Sequence, residues 1–139
     1  MEYKNKHGQV SLHTENNIII AKFSGYVTSG LLRVFKAELC AAIELLKCEH
    51  WAYISDSFAV LAATPEAEQE MTNISHLMHA NNCIASAFVL SSAIAINQMN
   101  RILNCAGKNA NINDYLFTDL ESAKLYISNS LNNKTSQVA

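Results

Sequence analysis

The chain has 139 residues, half of them apolar and only 16% charged, which is typical of one compact domain and excludes an intrinsically disordered chain. Its formal net charge is −2, and its lysines and arginines are scattered, so it has no basic stripe to neutralise nucleic-acid phosphates. We therefore expect no nucleic-acid partner.

The first two apolar segments have β-type patterns. Val10 and Leu12 share one face of residues 8–14, which predicts an antiparallel edge strand. Residues 15–17 have the composition of a hairpin turn, and residues 18–23 resume as a more buried strand.

A long helix is predicted next, from about Gly30 to Cys48, with Thr28 and Ser29 suited to cap its first turn. Its apolar residues repeat at spacings of three and four and form a stripe wider than contact with one sheet requires. Part of this stripe is therefore expected to contact a second subunit, which predicts a homodimer.

The middle of the chain predicts a second strand–helix unit. Trp51 opens a short strand over residues 51–55 that ends at Asp56, and an unusually apolar loop follows at residues 58–63. Thr64-Pro65 predicts a helix start, because threonine accepts a hydrogen bond from a free N–H group and proline fits the first turn.

The next strand is the most apolar of the chain. Residues 83–90 are almost wholly apolar, as expected of a central strand covered on both faces. Ser91 and Ser92 then offer a cap for a helix that ends near Gly107.

The chain closes with one more strand and helix. Residues 114–117 predict the last strand, and Thr118 and Glu121 fit a capping box at the start of a helix that reaches Leu131. Residues 132–139 are expected to form a flexible tail.

The order of elements is therefore ββαβαβαβα. It predicts a single α/β domain over residues 1–139, ordered from about residue 9 to 131, with a mixed, mostly parallel five-stranded sheet flanked by about four helices. Right-handed crossovers are expected to place helices on both sides of the sheet.

Three stretches carry a family resemblance: residues 51–56 (WAYISD), 63–67 (ATPEA) and 117–123 (FTDLESA). Together with the element order, they resemble the SpoIIAA-like branch of the STAS superfamily (sulfate transporter and anti-sigma factor antagonist domains). The resemblance covers about residues 10–131. It implies a SpoIIAA-like (STAS) fold and a small bacterial cytoplasmic domain without a cofactor, often a binding or regulatory module.

The chain departs from one motif of that family. In anti-sigma factor antagonists, the loop after this strand carries an Asp-Ser-Ser-Gly motif in which a serine is phosphorylated by a partner kinase. Here Asp56-Ser57 lies too close to the strand and lacks the second serine and the glycine, and Ala63-Thr64-Pro65 occupies the helix start. We therefore expect no phosphorylation switch of that type.

Motifs for metal or nucleotide chemistry are weak. His76 and His79 are three residues apart on one predicted helix, a spacing that lets two imidazoles share a metal, but the spacing suggests no third ligand. We interpret them as polar positions near a helix end, where a histidine cation is favourable. The four glycines are far apart and form no phosphate loop, so no metal, no cofactor and no enzyme activity are predicted.

The cysteines and the N-terminus indicate a reducing compartment. Cys40, Cys48, Cys83 and Cys105 form no CxxC pair, and residues 1–9 are polar without an apolar signal segment. We expect four small core hydrophobes in a cytoplasmic protein without a membrane span.

A ligand or partner is expected beyond the carboxyl ends of the parallel strands, where open α/β sheets bind their ligands. The residues predicted to form this edge are Asp56, Ser57, Phe58, Thr64, Ser91, Ser92, Thr118 and Asp119. Asp56 is a candidate base, an anion-repelling wall or an acceptor that fixes a loop. The hydroxyls are suited to cap helices, and no GxSxG motif surrounds any of the serines.

The apolar segment with Phe58, Val60 and Leu61 has two interpretations, a lid on the core or a contact patch. The leading hypothesis is a non-enzymatic module that binds a protein partner or itself. The alternative is a binder of a small apolar or lipid-like ligand in a cleft between a helix and the sheet.

Overall fold

The computed structural model describes residues 1–47, 49–105 and 110–138, and within them the chain forms one six-stranded sheet and four α-helices. The elements are β1 (Glu2–Lys4), β2 (Gly8–Glu15), β3 (Ile18–Val27), α1 (Ser29–Leu45), β4 (Trp51–Ala63), α2 (Pro65–Ala80), β5 (Cys83–Val89), α3 (Ala93–Cys105), β6 (Leu116–Phe117) and α4 (Leu120–Val138). A 3₁₀ turn, Ile112–Asp114, precedes β6. The predicted α/β class and mixed, mostly parallel sheet are confirmed.

The six strands lie in the sheet in chain order. β1, β2 and β3 pair antiparallel, whereas β3, β4, β5 and β6 are parallel. Three crossovers of one hand between adjacent parallel strands place their helices on the same side. The helices are therefore divided unequally, with α1, α2 and α3 on one face and α4 alone on the other.

The core under α1–α3 is built from alternate strand residues. Ile19, Ala21 and Phe23 of β3 face these helices, because successive side chains of a strand point to opposite faces. Aromatic rings form a connected row across this core, with ring centroids 5.0 Å apart for Phe23–Phe35, 6.3 Å for Phe35–Tyr53 and 6.4 Å for Tyr53–Phe88. Trp51 is fully buried at the lower end of β4, and its indole N–H donates to the carbonyl of Asn81 at 2.6 Å.

The second core is smaller and lies under α4. Ala123 and Ile127 of α4 pack on the other face of the strands, against Ile18, Ile20, Ala52, Ile54, Ala87 and Val89. α4 therefore covers β3 and β4 as far as the row in which Ile20 pairs with Ile54, and it covers β5 as far as Val89, which pairs with Asp56.

The predicted helix starts are largely confirmed. Thr28 accepts a hydrogen bond from the Leu31 N–H at 3.3 Å, and Thr64 accepts one from the Ala67 N–H at 3.2 Å, with Pro65 in the first turn. α4 differs, because its cap is Asp119 and not Thr118. The Asp119 carboxylate accepts from the Ser122 N–H at 2.8 Å, and this bond lowers the pKa of Asp119.

The largest correction concerns β4. It was expected to end at Asp56 and to be followed by a loop at residues 58–63, but the strand continues to Ala63. The added segment pairs with β3, from Ser24 opposite Ala59 to Val27 opposite Ala63.

The two ends of the chain also differ from the expectation. Residues 2–4 form β1, so the sheet begins before residue 9 and β2 is an inner strand and not the edge. α4 continues to Val138, where a flexible tail was predicted from residue 132.

The cysteines are not all core residues. Cys83 is buried, whereas Cys40 and Cys105 are exposed because they lie on the outer side of α1 and at the end of α3. Cys48 and Gly107 lie outside the described residues. Among the helices of the described chain, none combines the length and the apolar character required to cross a membrane.

Two glycines give opposite predictions for the same substitution. Gly25 has a φ of +75°, and a Cβ atom there would lie 2.6 Å from the carbonyl oxygen of His7, whereas the first contact at Gly30 is at 4.0 Å. We expect Gly25→Ala to lower the free energy of unfolding by more than about 1 kcal/mol. Gly30→Ala, within α1, should raise it by about 0.5–1 kcal/mol. Urea denaturation measures both, and equal effects would contradict this packing of the β2–β3 hairpin.

Candidate functional site

The upper part of β4 reaches beyond the end of β5. The last pair between these strands is Asp56 with Val89, whereas β4 continues for seven more residues along β3. The pairing with β3 shifts register twice, between Lys22 and Ser24 and between Gly25 and Tyr26. Each shift inserts an extra residue into β4, which redirects its side chains in the manner of a β-bulge.

Beyond the end of β5, side chains from α3 and the residues before it hydrogen-bond to the β4 backbone in place of a neighbouring strand. The Ser91 hydroxyl donates to the carbonyl of Phe58 at 2.7 Å, and the Ser92 hydroxyl donates to the carbonyl of Leu61 at 2.8 Å. The Gln98 amide accepts from the Ala63 N–H and donates to the Ala63 carbonyl, both at 2.8 Å. These bonds satisfy strand groups that would otherwise be unpaired at this edge.

A small apolar cleft lies between this part of β4 and the helices α2 and α3. Its volume is about 50 Å³, and its walls include Phe23, Val60, Met71 and Met99. Its polar groups include Ser57, whose hydroxyl lies 2.7 Å from that of Ser55 and is buried. The cleft is at the carboxyl ends of the parallel strands, the edge at which α/β sheets bind ligands.

Tyr53 lies deeper in the same interface. Its side chain is 1% exposed, and its hydroxyl has no hydrogen-bond partner among the described residues. It borders a cavity of about 10 Å³ that it shares with Ser75 and Ser86. Burial raises the pKa of the Tyr53 phenol.

The opposite side of the same strands is uncovered. Phe23 and Val27 of β3 line the cleft, so Lys22 and Tyr26, which precede them, point to the other side of the sheet. In β4, Asp56 lies between the cleft residues Ser55 and Ser57 and points away from the cleft in the same way. Phe58 and Leu61 lie at the two register shifts, and they are exposed and do not line the cleft. We call these five residues, Lys22, Tyr26, Asp56, Phe58 and Leu61, the open face.

The open face begins beyond the part of β3 and β4 that α4 covers. α4 covers the row of Ile20 and Ile54, and the next residues along the two strands on that side are Lys22 and Asp56, which lie opposite each other. Tyr26, Phe58 and Leu61 are 52%, 59% and 51% exposed, so this strand pair carries three large apolar side chains in solvent. Monomeric proteins seldom expose contiguous apolar patches without a binding role.

The structure divides the predicted site between different roles. Ser57 lines the cleft, whereas Asp56 and Phe58 belong to the open face, and a pocket or contact patch that includes both of them stays a prediction. Of the apolar segment, Val60 is buried in the core, whereas Phe58 and Leu61 are exposed, and their role as a contact patch stays a prediction.

The remaining predicted residues cap helices or hydrogen-bond to the backbone of β4. Thr64 caps α2, and Ser92 both caps α3 through the Ala95 N–H at 3.2 Å and holds β4. Thr118 is exposed and lies apart from the cleft, next to the α4 cap Asp119.

The sequence did not point to Gln98, Tyr26 or Tyr53. Gln98 is one polar residue in an amphipathic helix, and no spacing rule marks it as a partner of Ala63. Tyr26 lies after Gly25, where the strand was expected to end. The alternation of Val27 with Tyr26 was the only available signal that β3 continues.

Histidines contribute no cluster to the site. His76 and His79 are both exposed, and no group of three histidine, cysteine, aspartate or glutamate side chains capable of holding a metal occurs within residues 1–47, 49–105 and 110–138. Beside the cleft, Arg101 of α3 donates to the Glu68 carboxylate of α2 at 2.8 Å, and this bond raises the pKa of Arg101. The pair joins the two helices that wall the cleft.

Tyr53 provides a test of the interior. A buried hydroxyl without a partner costs about 1–3 kcal/mol. We therefore expect Tyr53→Phe, which removes the hydroxyl and keeps the ring, to raise the free energy of unfolding measured in urea. A lower free energy of unfolding would show that the hydroxyl is hydrogen-bonded in solution, for example to a water molecule in the cavity.

Comparisons with known proteins give the fold. No protein-family model matches the chain, and no curated protein matches it. Among solved structures, it is similar to an anti-sigma factor antagonist from Mycobacterium paratuberculosis, with a TM-score of 0.57, 11% identity and coverage of 86% of this chain and 92% of that one. It is also similar to SLC26A9, with a TM-score of 0.62, 12% identity and coverage of 86% of this chain and 21% of that one. The chain therefore has the SpoIIAA-like (STAS) fold that the sequence predicted.

Proposed function

We propose that this domain is a non-enzymatic cytoplasmic module that binds a protein partner through the open face. The main observation is that three apolar side chains, Tyr26, Phe58 and Leu61, are exposed on one strand pair. Hydrogen bonds from Ser91 and Ser92 fix the backbone of this strand pair. Aromatic side chains grouped on a preformed surface are the usual anchors of protein interfaces.

The hydroxyl groups at this edge support binding over catalysis. Ser91 and Ser92 donate to β4 carbonyls, Thr64 caps α2, and Ser57 is buried against Ser55. Each has a structural partner, and none of these bonds joins a hydroxyl to a histidine that would activate it as a nucleophile.

The similarity to a solved anti-sigma factor antagonist supports the same proposal. The mycobacterial protein is an anti-sigma factor antagonist, which acts on another protein. At 11% identity, this similarity is evidence for the fold of the chain. The argument for a protein partner comes from the open face of this chain.

A second candidate function is the binding of a small apolar ligand in the cleft between α2, α3 and β4. The apolar walls and the buried Ser57 hydroxyl favour it. The volume of about 50 Å³ is far below the roughly 300–1,000 Å³ of typical ligand pockets. A lipid-sized occupant would therefore need α2 and α3 to separate. Native mass spectrometry of the purified protein tests this candidate, which predicts a retained adduct of lipid size.

Phe58 is the residue that tests the protein-binding function. We expect a photoreactive phenylalanine analogue at position 58 to crosslink to a defined protein in cells, because the side chain is exposed at the centre of the open face. The same group at Leu45, which is exposed on α1, is the matched control and should give no such adduct. Purified Phe58→Asp should then bind the captured protein at least tenfold more weakly, and its circular dichroism should match the unmodified chain.

Two results would contradict this function. One is the same crosslinking pattern at positions 58 and 45. The other is full affinity of Phe58→Asp for the captured protein. Unfolding of Phe58→Asp would instead show that Phe58 supports the core.

We further expect no kinase switch at the start of α2. Ser57 is 2% exposed and bonded to Ser55, and Thr64 is engaged as a helix cap. Incubation with candidate partner kinases, followed by mass-spectrometric mapping, should give no stoichiometric phosphate at either residue. Stoichiometric phosphorylation of Ser57 or Thr64 would contradict this prediction.

A further inference from the structure

A groove runs along the edge of β5, at the end of the sheet away from the cleft and the open face. β6 pairs with β5 only at Phe88 and Val89, so among the described strands the first part of β5 has no neighbour on that side. We call this space the β5 groove. Its volume is about 490 Å³, and the residues that line it include His50, His79, Ile84, Ser86, Leu103 and Tyr115. This volume is within the roughly 300–1,000 Å³ of typical small-molecule pockets.

The buried hydroxyl of Tyr53 lies next to the β5 groove. Tyr53 lines the cavity of about 10 Å³ described above, and His79, Cys83 and Ser86 are among the residues that line both that cavity and the groove. A space of about 10 Å³ holds one atom group of the size of a water molecule. The Tyr53 hydroxyl, which has no hydrogen-bond partner among the described residues, therefore borders a space that one polar atom of a ligand fills.

The backbone of Ser86 offers further hydrogen-bonding groups to the groove. Phe88 donates its N–H to the carbonyl of Tyr115 at 2.8 Å, on the β6 side of the strand. Backbone groups two residues apart in a strand point to the same side. The N–H and C=O of Ser86 therefore point to the β6 side as well, at a position that β6 does not reach.

The lining favours an uncharged ligand. Within the described lining, neither the groove nor the cavity has an aspartate, glutamate, lysine or arginine, so a charged group would find no ion-pair partner there. α2 ends at Ala80 and α3 ends at Cys105, beside the lining residues His79 and Leu103. The carboxyl end of a helix carries a partial negative charge, which disfavours an anion in particular.

We propose that the β5 groove binds a small uncharged molecule with an apolar body and a carbonyl oxygen that accepts a hydrogen bond from Tyr53. The apolar body contacts Ile84 and Leu103 in the groove, and the oxygen enters the cavity. His79 is exposed and Ser86 is small, so a rotamer change of either side chain opens the way to Tyr53. The bond satisfies a buried hydroxyl that the free protein leaves without a protein partner. This site goes beyond the proposed function, because it lies at the opposite end of the strands.

Benzamide is the probe for this site, because it has an aromatic ring, an amide carbonyl and no charge. Titrated into the isotopically labelled full chain, it should give saturable shifts of the amide resonances of residues 83–86 in nuclear magnetic resonance spectra. Tyr53→Phe should weaken this binding roughly five- to tenfold, the effect of one neutral hydrogen bond. Tyr26→Phe is the matched control, because it removes an exposed hydroxyl at the other end of the sheet, and it should bind benzamide as the unmodified chain does. Benzoate, which has the same shape and a negative charge, should bind more weakly than benzamide.

The shift map of the unmodified chain tests the location independently of the variant. The absence of saturable shifts at residues 83–86, or equal affinities of Tyr53→Phe and the unmodified chain, would overturn the inference. A blocked tetra-alanine peptide tests the other occupant that a strand edge suits, an added β-strand. Saturable binding of that peptide at residues 83–86, with an affinity that Tyr53→Phe leaves unchanged, would overturn the inference in favour of a peptide site.

Discussion

The continuation of β4 past the end of β5 is the feature on which both candidate surfaces depend. Over residues 58–63 the strand has a partner strand on one side only, which would leave half of its backbone groups unpaired. Ser91, Ser92 and Gln98 provide those partners from the α3 side. One set of hydrogen bonds therefore holds the bulged backbone in which Val60 is buried and Phe58 and Leu61 are exposed.

The two sides of β4 could bind different kinds of partner. The inner side is a nearly closed apolar cleft of about 50 Å³, walled by helices that Glu68 and Arg101 tie together. The outer side is an apolar surface beyond the reach of α4. A rigid strand pair with an exposed aromatic residue has little conformational entropy to lose on association, which favours it as a docking surface.

Much of the fold follows from strong local signals, whereas the site depends on weak ones. The helix starts at Thr28 and Thr64 and the apolar strand at Cys83 were predictable because capping and burial each leave a pattern in a few adjacent residues. The end of β4 was not, because Ala59, Ala62 and Ala63 have low strand propensity and two bulges break the period of two. β1 has three exposed residues and no apolar period. Gln98 pairs with a residue 35 positions away, and only the folded chain shows that contact.

Hydrogen exchange across β4 tests the central claim most directly, because protection reports whether a segment is held in a hydrogen-bonded strand. The account predicts that amides in residues 59–63 exchange nearly as slowly as those in residues 51–56, and much more slowly than those in the connection at residues 110–111. In Gln98→Leu, exchange should accelerate in residues 58–63 and stay unchanged in the lower half of β4. Exchange of residues 59–63 in the unmodified chain at the rate of an exposed loop would contradict the account, because Phe58 and Leu61 would then have no fixed face.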